Sequence, residues 1–155
     1  MKKINALFLL TLPLVIGMSF SGCKKYEEGP AISLNTKMHR VVGSWKVEQV
    51  FETSGNGAKT DRTGDYQTAY ANYNMVFAKD EDYTITYNPF SVGTYSETGR
   101  WEFGGDKINI LLFNDNGNSS AIGTLWRILR LKEKELWMKT VNGNGTTIEV
   151  HFIPQ

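Results

Sequence analysis

From Arg40 onward the chain is a succession of short β-like runs whose connections alternate between tight and long, and this alternation restricts the folds open to it. Tryptophans, tyrosines and β-branched residues recur in alternation with polar ones, and Gly, Asn and Asp clusters punctuate them. The runs fall at about 42–52, 73–78, 82–88, 94–103, 107–113, 124–131, 135–141 and 146–153, with a short helical turn expected over Asp65 to Asn72. Three connections are tight: Lys79-Asp80-Glu81, Gly104-Gly105-Asp106 and Lys132-Glu133-Lys134. Those from Thr53 to Asn72, Pro89 to Gly93 and Asn114 to Gly123 are longer, and Asn142 to Gly145 is a short connection at the same end as these. In an antiparallel meander, alternate connections lie at opposite ends of the sheet. Eight such strands can close into a barrel holding side chains or one small ligand. The expectation is an all-β, eight-stranded antiparallel up-and-down barrel with a closed floor and a loop-rimmed mouth. An immunoglobulin-like sandwich would want Greek-key crossovers, and in its true members a Cys…Trp…Cys spacing that a chain with one cysteine lacks.

The N-terminal segment has a different character. Lys2 and Lys3 precede an almost wholly apolar stretch from Ile4 to Ile16, and Phe20-Ser21-Gly22-Cys23 closes it. This is the pattern of a secretory signal, and its apolar core, broken by Asn5, Thr11, Pro13 and Gly17, is short for a spanning helix. The closing residues resemble the lipobox of bacterial lipoproteins, with Phe20 where Leu or Val is usual. The resemblance implies cleavage before Cys23, acylation of that cysteine (palmitate or a similar chain) and a membrane anchor. The expected organisation is a signal peptide over 1–22, a lipidated flexible tether over 23–38 and a barrel domain over 39–155. Lys24 stands where an inner-membrane retention signal would carry Asp, so an outer-membrane location is expected. Glu27 and Glu28 resemble an acidic surface-export signal, and equally suit a solvated linker.

Removing 22 of the 155 residues leaves 133, enough for one domain with a core. Lys2 and Lys3 leave with them, so the 17 basic and 16 acidic side chains become 15 and 16. A balance so near neutrality gives no electrostatic case for a nucleic-acid partner. With Cys23 acylated, no thiol remains for a disulfide, a nucleophile or a soft metal site.

Alternation sorts the strand faces. Trp45, Phe77, Tyr83, Trp101, Phe103 and Leu136 are expected to pack a floor at the tight-hairpin end. Phe51, Tyr73, Met75, Tyr87, Tyr95 and Met138 share the inward parity towards the long loops, where they either fill the barrel or line a ligand cavity. Tyr66, Tyr70 and Phe90 lie in the mouth loops as potential caps. Arg127 shares parity with Leu125, Leu129 and Leu131, so strict alternation turns it inward, where Glu97 or an acidic ligand group would answer its charge. A bulge would instead turn Trp126 and Ile128 inward and Arg127 outward.

Gly43-Ser44-Trp45 at the start of the first run is similar to the Gly-x-Trp motif of lipocalins. Met75-Val76-Phe77 before an acidic turn, Gly99-Arg100-Trp101, and Leu131 to Leu136 across a charged hairpin resemble the lipocalin-like domains of bacterial lipoproteins. That resemblance implies an up-and-down barrel with a pocket for small apolar molecules, and a packing role for Trp45 at the closed end. No catalytic constellation is visible. His39 and His151 are the only histidines, stand in no triad or metal spacing, and are expected at the surface. Asp80-Glu81-Asp82 suits a hairpin, and Asn114 to Asn118 lacks the full order of a calcium loop. No cofactor and no enzymatic activity are therefore expected. The expected function is a membrane-anchored barrel that binds a small apolar or amphiphilic ligand. The alternative is a filled barrel that recognises a protein or glycan through its loop rim.

Overall fold

The computed structural model describes residues 35–114 and 123–155. Cys23, the signal segment and most of the expected tether lie outside the described residues, as do residues 115–122. The described elements are α1 (Lys37–Val41), β1 (Gly43–Thr53), β2 (Lys59–Asp61), α2 (Thr63–Ala69), β3 (Tyr70–Phe77), β4 (Asp82–Pro89), β5 (Tyr95–Phe103), β6 (Asn109–Asn114), β7 (Thr124–Lys132), β8 (Glu135–Val141) and β9 (Thr147–Pro154). Sheet order follows chain order from β3 to β9, and β1 pairs antiparallel with both β3 and β9. Eight strands thereby close a barrel, with β2 as a short addition on β1.

The closed end forms as the hairpin lengths require. The β3–β4, β5–β6 and β7–β8 turns gather there, and Glu81 and Lys107 take left-handed φ values of 70° and 55° to make the first two. Above them Trp45, Phe77, Tyr83, Trp101, Leu131 and Leu136 are buried. The Trp101 ring lies edge-on to Phe77 and Phe103, with centroids 5.2 and 5.5 Å away. Its indole N–H donates to the Ala78 carbonyl at 3.2 Å, so the one polar atom of the ring is satisfied.

Beneath this floor sits α1, a helix that the sequence reading did not expect. It begins at Lys37, inside the stretch read as tether, and the Thr36 hydroxyl accepts from the His39 amide at its first turn. Arg40 and Val41 are buried. The Arg40 guanidinium donates to the Leu131 carbonyl at 2.6 Å, and the Trp45 indole to the Val41 carbonyl at 2.8 Å. A helix this short has no intrinsic stability. It is held by the Trp45 bond, which answers the helix's own Val41 carbonyl, and by the Arg40 bond, which ties it to β7 beneath the floor.

Of the three register shifts in the described barrel, two decide which residues of β1 and β7 face in. The β1–β9 register shifts between Val47 and Gln49, and the β7–β8 register between Ile128 and Arg130. Beyond each shift the inward face passes to the neighbouring parity, so Val50 rather than Phe51 is buried inside β1. On the outer wall Phe51 meets His151 edge-on at 5.2 Å, and Trp137 stacks on His151 at 3.9 Å. His151 was expected at the surface, yet it is only 6% exposed. It does point out of the barrel, but these rings cover it, and Gln49 and Glu149 take its two ring nitrogens at 3.2 and 2.7 Å.

Candidate functional site

The upper half of the barrel is not filled. A cavity of about 670 Å³ is lined by Val47, Val50, Tyr66, Tyr70, Tyr73, Ile85, Tyr87, Glu97, Trp126, Thr140, Ile148, Val150 and Phe152, with Lys46, Gln67, Ala71 and Asn72 completing its wall. A smaller lobe of about 290 Å³ adjoins it, bounded by Met75, Tyr83, Leu112, Asn114, Thr124 and Met138. The two share Tyr73, Ile85, Glu97, Trp126 and Phe152 as a common wall. Most of this surface is hydrocarbon or aromatic, with a few polar groups set into it, as small-molecule sites are.

Local structure explains why the space stays open on one side. β1 and β3 pair only from Gly43↔Phe77 to Lys46↔Asn74 and then part. The β3–β4 register shifts between Ala71 and Asn74, and Asn72 takes a φ of 57°. The chain between β1 and β3 fills the gap with β2 and α2. Val50 keeps its backbone satisfied there: its amide donates to the Thr63 hydroxyl at 3.0 Å and its carbonyl accepts from the Arg62 amide at 2.9 Å. Asp61 accepts from the Thr63 amide at 2.8 Å, and Tyr66 of α2 reaches Glu52 through its hydroxyl at 3.4 Å. The expected helical turn thus starts at Thr63, and it carries Tyr66 and Gln67 into the cavity wall.

Tyrosines run from the cavity to the rim. Tyr73 and Tyr87 stack with centroids 6.1 Å apart and an interplanar angle of 17°. Tyr87 in turn meets Tyr70 at 5.1 Å and Tyr95 at 4.9 Å, and Tyr66 meets Tyr70 at 5.6 Å. Burial pushes the Tyr73 phenol well above its ordinary value, and the nearby Glu97 charge pushes it further. Tyr87 moves the same way, through burial and then Tyr95 and Tyr70. These hydroxyls therefore stay protonated and act as neutral polar tips on apolar walls.

The structure separates the expected site residues into three groups. Tyr73 lines both lobes, Tyr87 the larger one, and Met75 and Met138 the smaller. Tyr95 stands at the rim, 44% exposed, in ring contact with Tyr87. Phe51 and Arg127 do not belong with these. The β1 bulge turns Phe51 outward against His151 and Lys59, and Arg127 is exposed while its neighbours Trp126 and Ile128 face in. The inward placement of both rests on uninterrupted alternation, which the bulges break. Glu97 accordingly does not answer Arg127; its carboxylate accepts from the Tyr83 hydroxyl at 2.9 Å. Of the mouth residues, Tyr66 and Tyr70 line the cavity, whereas Phe90 is 72% exposed. Trp126 and Val50 are wall residues that strict alternation did not select, and for Trp126 the bulge reading was the signal. Thr140 shares the inward parity of Leu136 and Met138, although it was not singled out. Among the described residues no cluster of His, Cys, Asp or Glu has the makings of a metal site.

A crystallised lipocalin-like protein from Bacteroides uniformis superimposes with a TM-score of 0.50 at 12% identity, covering 75% of this chain and 99% of that one. The fold is lipocalin-like. An uncharacterised protein from Bacteroides eggerthii is similar, with a TM-score of 0.48 at 15% identity, covering 73% and 98% of the two chains. At 12% identity the first likeness speaks of the fold alone. No protein-family model matches the chain. No curated protein matches it in sequence either.

Proposed function

We propose that this protein is a membrane-anchored lipoprotein whose lipocalin-like barrel binds a small apolar or amphiphilic molecule through the mouth of its cavity. The observation that carries the reading is the cavity of about 670 Å³ with its aromatic and aliphatic wall. A barrel built only as a scaffold would fill this space with its own side chains, since each unfilled volume forfeits dispersion contacts. The polar groups in the wall are few and mostly neutral hydroxyls, which suits a ligand that is largely hydrocarbon with one polar end. The anchoring half of the proposal rests on Cys23 and the residues before it, and the outer membrane is the proposed location.

Native mass spectrometry tests the binding half. Protein beginning at Lys24, purified gently, is expected to carry a reproducible extra mass that is lost on denaturation. A clean apo mass after exposure to an envelope lipid extract would count against the reading. Labelling with radioactive palmitate tests the other half, with label expected on the natural chain and none on Cys23→Ala.

A further inference from the structure

Among the described residues the wall of the cavity holds one carboxylate, and its surroundings select a class of ligand. Glu97 borders both lobes, and Tyr73, Tyr83 and Tyr87 stand around it. Its Oε1 accepts from the Tyr83 hydroxyl at 2.9 Å, and among the described residues its Oε2 has no protein partner. Glu97 is half-buried, and its Oε2 is not among the atoms sealed from solvent, so the carboxylate can take its counter-charge from a ligand that enters the cavity. Among the described residues the one cation in the wall, Lys46, is solvent-exposed and borders the place where β1 and β3 part. Tyr73 and Tyr87 turn their faces to each other, stacked 6.1 Å apart, and so give the carboxylate an apolar surround with neutral hydroxyls and no competing positive charge. The same arrangement repels an acidic head group. Resting on the small-ligand reading above, we propose that the cavity takes an amphiphile with a cationic nitrogen head group, an amine or ammonium. Glu97 is its counter-ion and the tyrosines form the surrounding cage. The hydrocarbon part lies in the larger lobe, against Val50, Ile148, Val150 and Phe152.

A set of probes with one chain and different head groups tests this: dodecylamine, dodecyltrimethylammonium, dodecanol and dodecanoate, each titrated below its micelle concentration and followed by tryptophan fluorescence. The amine or the ammonium is expected to bind at least about tenfold more tightly than the alcohol, and the carboxylate most weakly. Glu97→Gln keeps an acceptor for Tyr83, and should bring the cationic probes down to the affinity that the same variant shows for the alcohol. If Glu97→Gln does not fold, the order of head groups on the natural protein still decides. Dodecanoate binding as tightly as the amine, or a cationic preference that survives Glu97→Gln, overturns the proposal while the small-ligand reading stands. Binding of none of the four removes that reading, and this proposal with it.

Discussion

Gly99 shows how one missing side chain places the cavity's polar group. A Cβ at this position would stand 2.1 Å from the Phe113 carbonyl oxygen and 2.7 Å from the Tyr83 ring. The bare backbone therefore lets β5 and β6 meet and lets the Tyr83 ring lie over β5, from where its hydroxyl reaches Glu97. Gly99→Ala forces backbone or ring to shift and should cost about 2–3 kcal/mol, read as a lower midpoint of denaturant unfolding. Tyr83→Phe removes only the hydroxyl. It should cost about 1 kcal/mol and leave the core ring in place, so a loss as large as that of Gly99→Ala would show that the bond to Glu97, and not the close approach of ring and backbone, is what Gly99 protects.

At the scale of elements, bulges and a docked loop decide which residues see the cavity. The β7 shift puts Trp126 in the wall and Arg127 outside. Arg127→Ala should leave binding of a neutral apolar dye such as Nile red unchanged, whereas Trp126→Ala should alter its affinity by about tenfold. Equal effects of the two would contradict the bulged register. Where β3 leaves β1, α2 supplies what the missing neighbour would have given, through Thr63 and Arg62 on Val50. Thr63→Val keeps the shape and deletes the acceptor, stranding the Val50 amide at about 1–2 kcal/mol. Amide hydrogen exchange should show faster exchange at Val50 and over α2, with the floor unaffected; uniform acceleration across the barrel would mean that the loop is not a separate local unit.

For the whole molecule, closure couples distant segments, and the outer seam carries charge that responds to acid. Burial raises the pKa of Glu149, but its hydrogen bonds from His151 and Lys59 and their charges outweigh this, and the net value falls below the usual 4.5. Glu135 is likewise lowered on balance: burial raises it, and Lys132 and Arg130 outweigh that. A carboxylate lowered in the folded state contributes stability that is present above its unfolded value and lost as the pH falls through the folded one. Thermal melts should thus decline as the pH drops below about 4.5, and Glu149→Gln should flatten that decline. A decline unchanged by Glu149→Gln would place the acid sensitivity elsewhere. At the alkaline limit the raised Tyr73 phenol has the opposite sense: its contribution is complete below 10 and lost as the pH rises further.

Strand positions, the meander and the segregation of tight turns from long loops were legible in the chain, because each is written in local chemistry: residue alternation, β-branched and aromatic runs, and turn formers. Trp101, Phe77 and Leu136 could be assigned to the floor for the same reason. Where the alternation breaks was not legible. Whether Phe51 or Val50 faces in, and whether Arg127 or Trp126 does, depends on one extra residue in β1 and one in β7. Those residues are absorbed by pairing with β9 and β8, strands that the local sequence does not mention. The cavity was undecided for a related cause. Tyr73 and Tyr87 suit a filled interior and a lined one equally well, and only the parting of β3 from β1, with α2 set into the gap, leaves the volume open. Local composition determined that this chain would close into a barrel. What faces the inside, and that the inside is partly empty, was decided by long-range register and packing.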